Sequence, residues 1–465
     1  MSILSTLSIG AQSLKAHQLA IQTTGHNLAN VATPGFSRQR VELVSAYPAF
    51  VGGIFVGQGV DAASVQRVVD RFTEAELLSL HGEVGYSGAE SWALSSLQEV
   101  FPLSGGVNGA LSNFFGALSD LASNPAGSSE RVIVIAKARA LGETLSLARQ
   151  SLTSLQTNLD KDLQSAVERV NILTEKIARL NDQISFVEVR GEPANDFRDQ
   201  RQTLLQELTS LTGSTAREDA NGQVTVLVDG LLLVGGVRFA SLSSDSVNAN
   251  GLRSVTYRSP DGTAFDASAL FSAGEIGSLL NARDNHVQDV IDRLDLFAQT
   301  LVGQFNTQHA LGFDLNGNAG GNLFTPIVSA IGAAAAVRVD ATLAADPRLI
   351  AAAQSASTLP GDNRNALALV GLSSTTIPAL GGLTLEDHFL SLITDVGAQV
   401  QASQSRYDFQ QALLTQTQAR RESVSGVSID EEMTKLIQFQ RAFEASSMLV
   451  RSADEMYQAL IEMAR

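Results

Sequence analysis

The segment GQGVDA has the residue types and spacing of a turn that could bind a dinucleotide. Gly57, Gly59 and Ala62 fit the pattern G-x-G-x-x-A, in which a tight turn brings backbone amides close to a pyrophosphate. Such a turn has to follow a buried strand and open a βαβ unit, and little parallel-sheet patterning surrounds this one. We therefore interpret the segment as a structural glycine turn and predict no nucleotide cofactor.

The segment DLNGNAGG resembles the first half of a calcium-binding loop. Asp314, Asn316 and Asn318 place oxygen atoms at alternate positions. However, the sixth position is Ala319, where the sharp turn requires glycine, and the twelfth is Thr325, where a bidentate glutamate is required. These two departures favour an ordinary Asn/Gly loop, and we predict no metal ion.

Other catalytic signatures are missing from the sequence. The six histidines form no H-E-x-x-H or similar ligand spacing, and the chain has no cysteine. Neither a G-x-S-x-G elbow nor a G-x-x-x-x-G-K-[ST] loop occurs. The neighbouring carboxylates Glu431 and Glu432 are better explained as charges at a helix start than as a catalytic pair. We predict that the protein is not an enzyme and uses no cofactor.

Composition narrows the class of protein further. A chain of 465 residues with 44% hydrophobic residues is long enough for two to four domains with a sizeable core. The formal net charge of -16 gives no source for attraction to phosphate, so we predict no nucleic-acid partner. No run approaches the ~18 apolar residues of a membrane span. The start MSILSTLSIGAQSLK lacks a basic and a continuous apolar region, so we expect no cleaved secretory signal.

Both ends of the chain are predicted to form helices with a narrow apolar stripe. Near the start, leucine and isoleucine recur every seven residues, and near the end a heptad pattern continues to Ala464. We predict that the second helix begins at Ser428, which can cap its free amides. Such helices bury too little area to fold alone. They could pair with each other, with other subunits, or with both, and we predict that their stripes form the subunit interface: Leu7, Leu14, Ile21, Leu28, Leu436, Phe439, Phe443, Val450, Tyr457 and Leu460.

The region between the terminal helices is predicted to be mainly helical. Apolar residues from Leu163 to Val187 alternate three and four apart, and GEPAND should end that helix before a return helix capped by Asp196. Further helices are predicted near residues 66–100, 109–122, 130–160, 275–310 and 385–425. Turn pairs and apolar runs between Ser214 and Arg258 predict a small β subdomain. The fold class is therefore mainly α, with long terminal coiled-coil-like helices, a helical-bundle body and a small β-rich subdomain.

The stretch NLANVATPGFSRQ should end the first helix near Val31. Pro34 and Gly35 occupy the second and third positions of a predicted type II turn. Asparagine amides can bond the fraying backbone, and an aromatic ring can anchor the outgoing chain. The residues of this turn motif are Asn27, Asn30, Thr33, Pro34, Gly35 and Phe36.

Three segments together resemble one known family. These are NLANVATPGFSRQ, FNTQHALGFDLNGNAGGNLF and GVSIDEEMTKLIQFQRAFEASSMLVRSADEMYQALIEM, and they are similar to the family of flagellar hook-associated protein 1, the FlgK-type protein of the hook–filament junction. GVDAASVQRVVD, NDFRDQRQTLLQEL and GEIGSLLNARD resemble the same family in the same order. The turn and the terminal heptads also occur in rod and hook proteins, whereas QHALGFDLNG and the SRQ after the turn point to this family.

The resemblance implies a structural protein of the bacterial flagellum, outside the cell. It implies export through the flagellar type III apparatus without a cleaved signal, and a FlgN-type chaperone that holds the C-terminal helix. It also implies a ring of subunits that contacts the hook protein and the second, distal junction protein. The implied domains are an axial domain of residues 1–50 with 410–465, a helical body of 51–212 with 262–409, and a small β-rich outer subdomain of 213–261.

Other functions remain open at this point. Another flagellar axial protein, such as a hook, rod or distal junction protein, would share the terminal heptads. A secreted coiled-coil effector or adhesin would share the heptads but has no reason to share the turn motif and the flanking motifs.

Overall fold

The computed structural model describes residues 3–51, 53–102, 105–219, 221–248 and 250–463. Its helices are α1 (Ile3–Ala29), α2 (Arg71–Glu99), α3 (Gly106–Ser123), α4 (Ser128–Glu188), α5 (Asn195–Thr212), α6 (Gly274–Asn281), α7 (Val287–Ala310), α8 (Ala333–Ala336), α9 (Ala341–Ala345), α10 (Arg364–Gly371), α11 (Leu385–Ser425) and α12 (Ile429–Met463). Its strands are β1 (Gln39–Ser45), β2 (Ala49–Val51), β3 (Ile54–Val56), β4 (Val60–Arg67), β5 (Thr215–Glu218), β6 (Val224–Val228), β7 (Leu231–Gly235), β8 (Arg238–Phe239), β9 (Ser241–Ser243), β10 (Thr256–Arg258) and β11 (Ala264–Asp266). The predicted mainly α fold class is confirmed.

The longest described helix, α4, joins two segments that were predicted as separate helices. Residues 130–160 and the stripe from Leu163 to Val187 form one helix of 61 residues. Leu152, Leu155, Leu159 and Leu163 are all buried and continue the three-and-four spacing across the supposed gap. Because no glycine or proline interrupts this stretch, nothing ends the helix there.

The body packs around α4 and around the pair formed by α2 and α11. The α2 and α5 helices meet at their backbones, because a Cβ atom added to Gly85 would lie only 2.1 Å from the Ser210 carbonyl oxygen. A second small apolar cluster, Leu77, Leu80 and Leu414, lies between α2 and α11. Among the described residues, the main apolar core runs from Ala93 to Val396 and includes no residue of α1 or α12. The terminal helices therefore lie outside the core of the body.

The start of α11 gives a test of the body's stability. The Thr384 hydroxyl accepts a hydrogen bond from the Asp387 amide at 3.1 Å and donates one to the Asp387 carboxylate at 2.8 Å. We expect Thr384→Ala to destabilise the body by about 1 kcal/mol, since a capped amide loses its partner. Urea unfolding followed by circular dichroism measures this. Thr394→Ala, an exposed position inside the same helix, is the control, and equal effects of the two substitutions would contradict the capping role.

The β-rich region forms two antiparallel sheets, with strand orders β5-β6-β7-β8 and β11-β10-β9. The prediction of a small β subdomain is confirmed, although its last strand reaches Asp266. The sequence pattern does not predict β1 and β4, which pair antiparallel as a two-stranded ribbon, or the β2–β3 hairpin between them. Gly57 and Gly59 lie in the loop before β4, and the antiparallel pairing excludes a βαβ unit at GQGVDA.

The QHALGFDLNG segment contains the end of α7, with the buried His309, and continues as a loop beside it. His309 donates through Nδ1 to the Gly321 carbonyl at 2.7 Å and accepts the Ala351 amide at Nε2 at 2.9 Å. In the following turn, the Asp314 carboxylate accepts the backbone amides of Asn316 and Asn318, each at 2.8 Å. The residues with calcium-like spacing therefore form an Asn/Gly loop that is held by its own hydrogen bonds, as predicted. Within the described part of the chain, no three His, Asp or Glu side chains converge as metal ligands would.

His309 makes the stability of the body depend on pH. Burial lowers the pKa of His309 below its ordinary value of 6.5. Above that value both folded and unfolded states hold a neutral ring; below it the unfolded chain takes up a proton that the folded chain excludes. We expect stability to fall as the pH drops below 6.5, and His309→Gln to reduce this dependence. Burial also lowers the pKa of His81 and His388, so part of the dependence should remain. Urea unfolding at pH 7.5 and 5.5 measures both slopes, and identical slopes would contradict this role of His309.

None of the described helices is both long enough and apolar enough to cross a membrane.

Candidate functional site

The terminal helices α1 and α12 pair antiparallel within one chain. A Cβ atom added to Gly10 would lie 2.5 Å from Val450 Cγ2, and the Asn27 side chain at the other end of α1 bonds Glu432 near the start of α12. Between them the rings of His17 and Phe439 lie 6.5 Å apart. The α12 helix begins at Ile429, directly after the predicted cap residue Ser428.

The pairing buries small and polar residues rather than the predicted leucine stripe. The most deeply buried residues of α1 include Ala16, Ala20 and Asn27. Ile21 and Leu28 follow Ala20 and Asn27 by one position, and consecutive helical residues point about 100° apart. The stripe therefore lies beside the buried face, and its members Leu7, Leu14, Ile21 and Leu28 are half-buried.

The predicted stripe of α12 is also incompletely covered. Leu436, Phe439, Phe443 and Val450 are half-buried, and Tyr457 and Leu460 are exposed. Ala464, the last predicted heptad position, lies outside the described residues. The pairing within one chain thus leaves apolar surface on both terminal helices, and the subunit contact of these residues stays a prediction.

The turn motif closes the end of α1 as the sequence predicts. The helix ends at Ala29, and the Phe36 amide donates to the Thr33 carbonyl at 3.2 Å around Pro34. Gly35 has a φ of 79°, which the third position of a type II turn requires. Asn30 bonds the fraying helix end, since its side-chain amide donates to the His26 carbonyl at 3.0 Å.

Asn27 does not bond the fraying backbone of its own helix, contrary to the prediction. Its side-chain oxygen accepts the Gln39 amide at 2.9 Å, and its amide donates to the Gln39 carbonyl at 2.8 Å and to the Glu432 carboxylate at 2.9 Å. Asn27 and Glu432 are each only 1% exposed. One side chain therefore ties α1, β1 and α12 together. Glu432, predicted to be a helix-start charge, is a buried partner whose second oxygen pairs with Lys435.

The strand that leaves the turn is held by α5. The Gln39 side-chain amide donates to Asp196 at 2.7 Å, and Asn195 donates to the Val65 carbonyl of β4 at 2.9 Å. The Ser37 amide donates to Asp199 at 2.9 Å. Asp196 lies inside the first turn of α5 and does not cap it, because its carboxylate faces Gln39 and His26 instead.

Helices α11 and α12 hold the other side of the same segment. Arg421 of α11 donates to the Gly35 carbonyl at 3.2 Å and to the Ser37 hydroxyl at 3.1 Å, and also pairs with Glu74 of α2. The Arg38 amide donates to the Ser425 carbonyl at 2.8 Å, and the Arg38 guanidinium pairs with Glu431. Residues 35–39 are thus bonded to α1, α5, α11 and α12, and we call these residues and their partners the joint.

A buried ion pair lies at the centre of the joint. Arg67 Nε and Asp199 Oδ1 are 2.9 Å apart, and both side chains are largely buried. Burial raises the pKa of the Asp199 carboxyl, and the nearby Arg67 acts against this. Burial likewise lowers the pKa of Arg67, with Asp199 and Glu74 opposing the shift. Because removing either partner would leave an uncompensated charge, the pair favours one fixed arrangement of β4 on α5.

Phe36 packs its ring edge-on against His26, with ring centroids 5.4 Å apart. Both residues line a cleft of about 650 Å³ between the turn and the α4–α5 hairpin, to which Leu180 and Leu204 contribute. Phe36 thus anchors the outgoing chain, as predicted, by packing on α1 beside the body.

The comparisons with known proteins identify flagellar relatives. A family model described as the flagellar hook-associated protein FlgK helical domain matches residues 94–324, and one described as the flagellar basal body rod FlgEFG protein C-terminal matches residues 419–463. Flagellar hook-associated protein 1 of Bacillus subtilis (strain 168) is 30% identical over 98% of this chain and 97% of its own. The protein of that name from Escherichia coli (strain K12) is 25% identical over 97% and 98%.

A solved structure shows the same fold. The flagellar hook junction protein FlgK from Burkholderia pseudomallei superposes with a TM-score of 0.66 at 17% identity, and the match covers 76% of this chain and all of that one.

Proposed function

The chain belongs to the family of flagellar hook-associated protein 1 and is a structural protein of the hook–filament junction, and from this premise we propose that it forms a ring through its paired terminal helices. We call the pair of α1 and α12 the axial pair. The joint fixes the orientation of the body relative to this pair. Load passed along the axis then reaches the body through many short hydrogen bonds rather than through a flexible linker.

The joint is the observation that carries this proposal. Residues 35–39 are bonded to four helices: the terminal helices α1 and α12, the α5 helix of the body, and the end of α11, which runs from the body into the axial domain. The boundary between axial domain and body near residue 410 lies inside α11, whose end carries Arg421. We retain the division into residues 1–50 with 410–465, 51–212 with 262–409, and 213–261 as part of the proposal, although β11 extends the β-rich region to Asp266.

The half-buried stripes of α1 and α12 support self-assembly. Apolar surface that one chain leaves open is stabilised when neighbouring subunits cover it. The ring would contact the hook protein on one side and the distal junction protein on the other. Before assembly, a FlgN-type chaperone would cover the exposed apolar residues of α12, and the chain would leave the cell through the flagellar export apparatus without a cleaved signal.

Deletion of the gene tests the function. We expect cells without the chain to build hooks, to lack attached filaments, and to release filament protein into the medium, and we expect the intact gene to restore attachment. Electron microscopy of hooks and immunoblots of the medium measure both effects. A motile deletion strain with normal filaments would refute the proposal, and a strain without hooks would favour a rod or hook protein.

A further inference from the structure

The hairpin of β2 and β3 is an exposed apolar feature that the joint does not use. From Ala46 to Val60 the sequence AYPAFVGGIFVGQGV contains no charged residue. Tyr47 is 96% exposed, Phe50 66% and Phe55 73%, and the Phe50 and Phe55 rings lie 5.0 Å apart. An isolated two-stranded hairpin is only marginally stable in water, and a contiguous exposed apolar patch indicates a contact surface.

The hairpin begins at the level of the first turns of α1. The Ala46 amide donates to the Gly59 carbonyl at 2.9 Å at its base, and a Cβ atom added to Gly59 would lie 3.0 Å from Ile9 Cγ2. Gly10, the next residue of α1, faces Val450 of α12. Because consecutive helical residues point about 100° apart, the hairpin and α12 lie on different sides of α1.

A second exposed apolar surface lies on α12 near the same end. Leu449, Met456, Leu460 and Met463 recur at helical spacing and are all exposed, and we call them the distal stripe. Since Gly10 lies opposite Val450, Ile3 is level with about residue 457 at 1.5 Å per residue. The end of the distal stripe therefore extends beyond the first described residue of α1.

We propose that the hairpin of one copy packs on the distal stripe of the next copy in the ring. This inference rests on the proposed ring and names its contact. A closed ring uses a heterologous interface, in which two different patches of one chain meet on adjacent copies at the same height along the axis. The hairpin and the distal stripe are different patches, and the base of the hairpin at Gly59 lies level with the start of the stripe at Leu449, since both lie beside Ile9 and Gly10 of α1. The hairpin also carries no charge that the contact would bury without a partner.

The natural absence of cysteine allows a direct test by cross-linking. A disulfide requires Cβ atoms roughly 4 Å apart, so it reports contact between two positions. Full-length chains carrying either Phe55→Cys or Met456→Cys are co-expressed in a strain that lacks the gene, and assembled flagella are oxidised. We expect a 55–456 dimer, identified by mass spectrometry, in assembled junctions and not in the purified monomer. The control pair combines Phe186→Cys with Met456→Cys. Phe186 is an exposed residue of α4. Its neighbour Val187 lines a cleft together with Gln22, which lies near the opposite end of α1.

The outcomes separate the two proposals. Assembled junctions that yield no 55–456 product, or only 55–55 dimers, would overturn the hairpin contact and leave the ring intact. Failure of the wild-type chain to form a ring would overturn both. If either cysteine prevents assembly, the pair Tyr47→Cys and Leu460→Cys makes the same test.

A double variant, Phe50→Ser with Phe55→Ser, gives an independent measurement. It should leave the melting temperature of the monomer unchanged and lower the number of attached filaments about ten-fold, the effect of ~1.4 kcal/mol. Unchanged attachment would also overturn the contact.

Discussion

Replacement of Asn27 by Asp is expected to detach α12 from α1 and to abolish filament attachment. The substitution keeps the shape of the side chain and its acceptor for the Gln39 amide. It removes the donor that bonds the Gln39 carbonyl and the Glu432 carboxylate, and it places a second carboxylate within about 3 Å of Glu432. We expect the opening free energy of the α1–α12 pair to fall by about 3 kcal/mol, because Glu432 is buried and like charges repel.

Hydrogen exchange measures that loss locally. Since each 1.4 kcal/mol changes an equilibrium tenfold, amides of α12 that exchange through this opening should exchange about a hundred times faster. Asn30→Asp is the matched control, because the Asn30 amide bonds only the end of its own helix and His26. Equal effects of the two substitutions would show that Asn27 acts through the turn alone.

A second substitution gives a rescue that a merely structural defect would not show. In Asn27→Asp with Glu432→Gln, the new glutamine amide can donate to Asp at position 27 and the carboxylate repulsion disappears. We expect the double variant to recover part of the lost protection and of the filament attachment. A double variant as weak as the sum of the two single variants would rule out direct coupling between positions 27 and 432.

The helices could be predicted from the sequence because their pattern is local. The α11 helix spans the predicted residues 385–425, and α4 follows the stripe from Leu163 to Val187. Here each apolar residue identifies its neighbour three or four positions away. The ribbon of β1 and β4 could not be predicted in this way, because its strands are half-exposed and are covered by α1 rather than by a large sheet.

The joint could be predicted only in part. The turn at Pro34 and Gly35 depends on backbone chemistry within four residues, and the sequence predicts it correctly. The partners of Asn27 and Ser37 could not be predicted, because Glu432 lies 405 positions from Asn27 and Asp199 lies 162 positions from Ser37. A single sequence carries no signal that pairs polar residues over such separations. Glu431 and Glu432 are adjacent and chemically identical, yet one pairs with Arg38 at the surface and the other is buried.

A charge in the α12 stripe should weaken the pair of α1 and α12 and leave the body folded. Val450 packs on Gly10, and the missing side chain of Gly10 leaves room for the valine methyl groups. We expect Val450→Asp to weaken the pair by about 2 kcal/mol, because a half-buried carboxylate replaces the methyl contacts without a partner. Phe443→Asp should act in the same direction and damage chaperone binding or junction assembly as well.

The body should remain folded in both variants, since no described residue of α1 or α12 belongs to its core. We expect an unchanged melting temperature for the body, faster exchange in α1 and α12, and loss of filament attachment. In the wild-type monomer the terminal helices should already exchange faster than residues 163–187 of α4, because their partly open stripes make the pair less stable than the core. Ser452→Asp, an exposed change two residues along α12, is the control. A melting temperature that falls as far as in a core substitution, or equally slow exchange of α12 and α4 in the monomer, would mean that the terminal helices are part of the body rather than an axial unit that assembly completes.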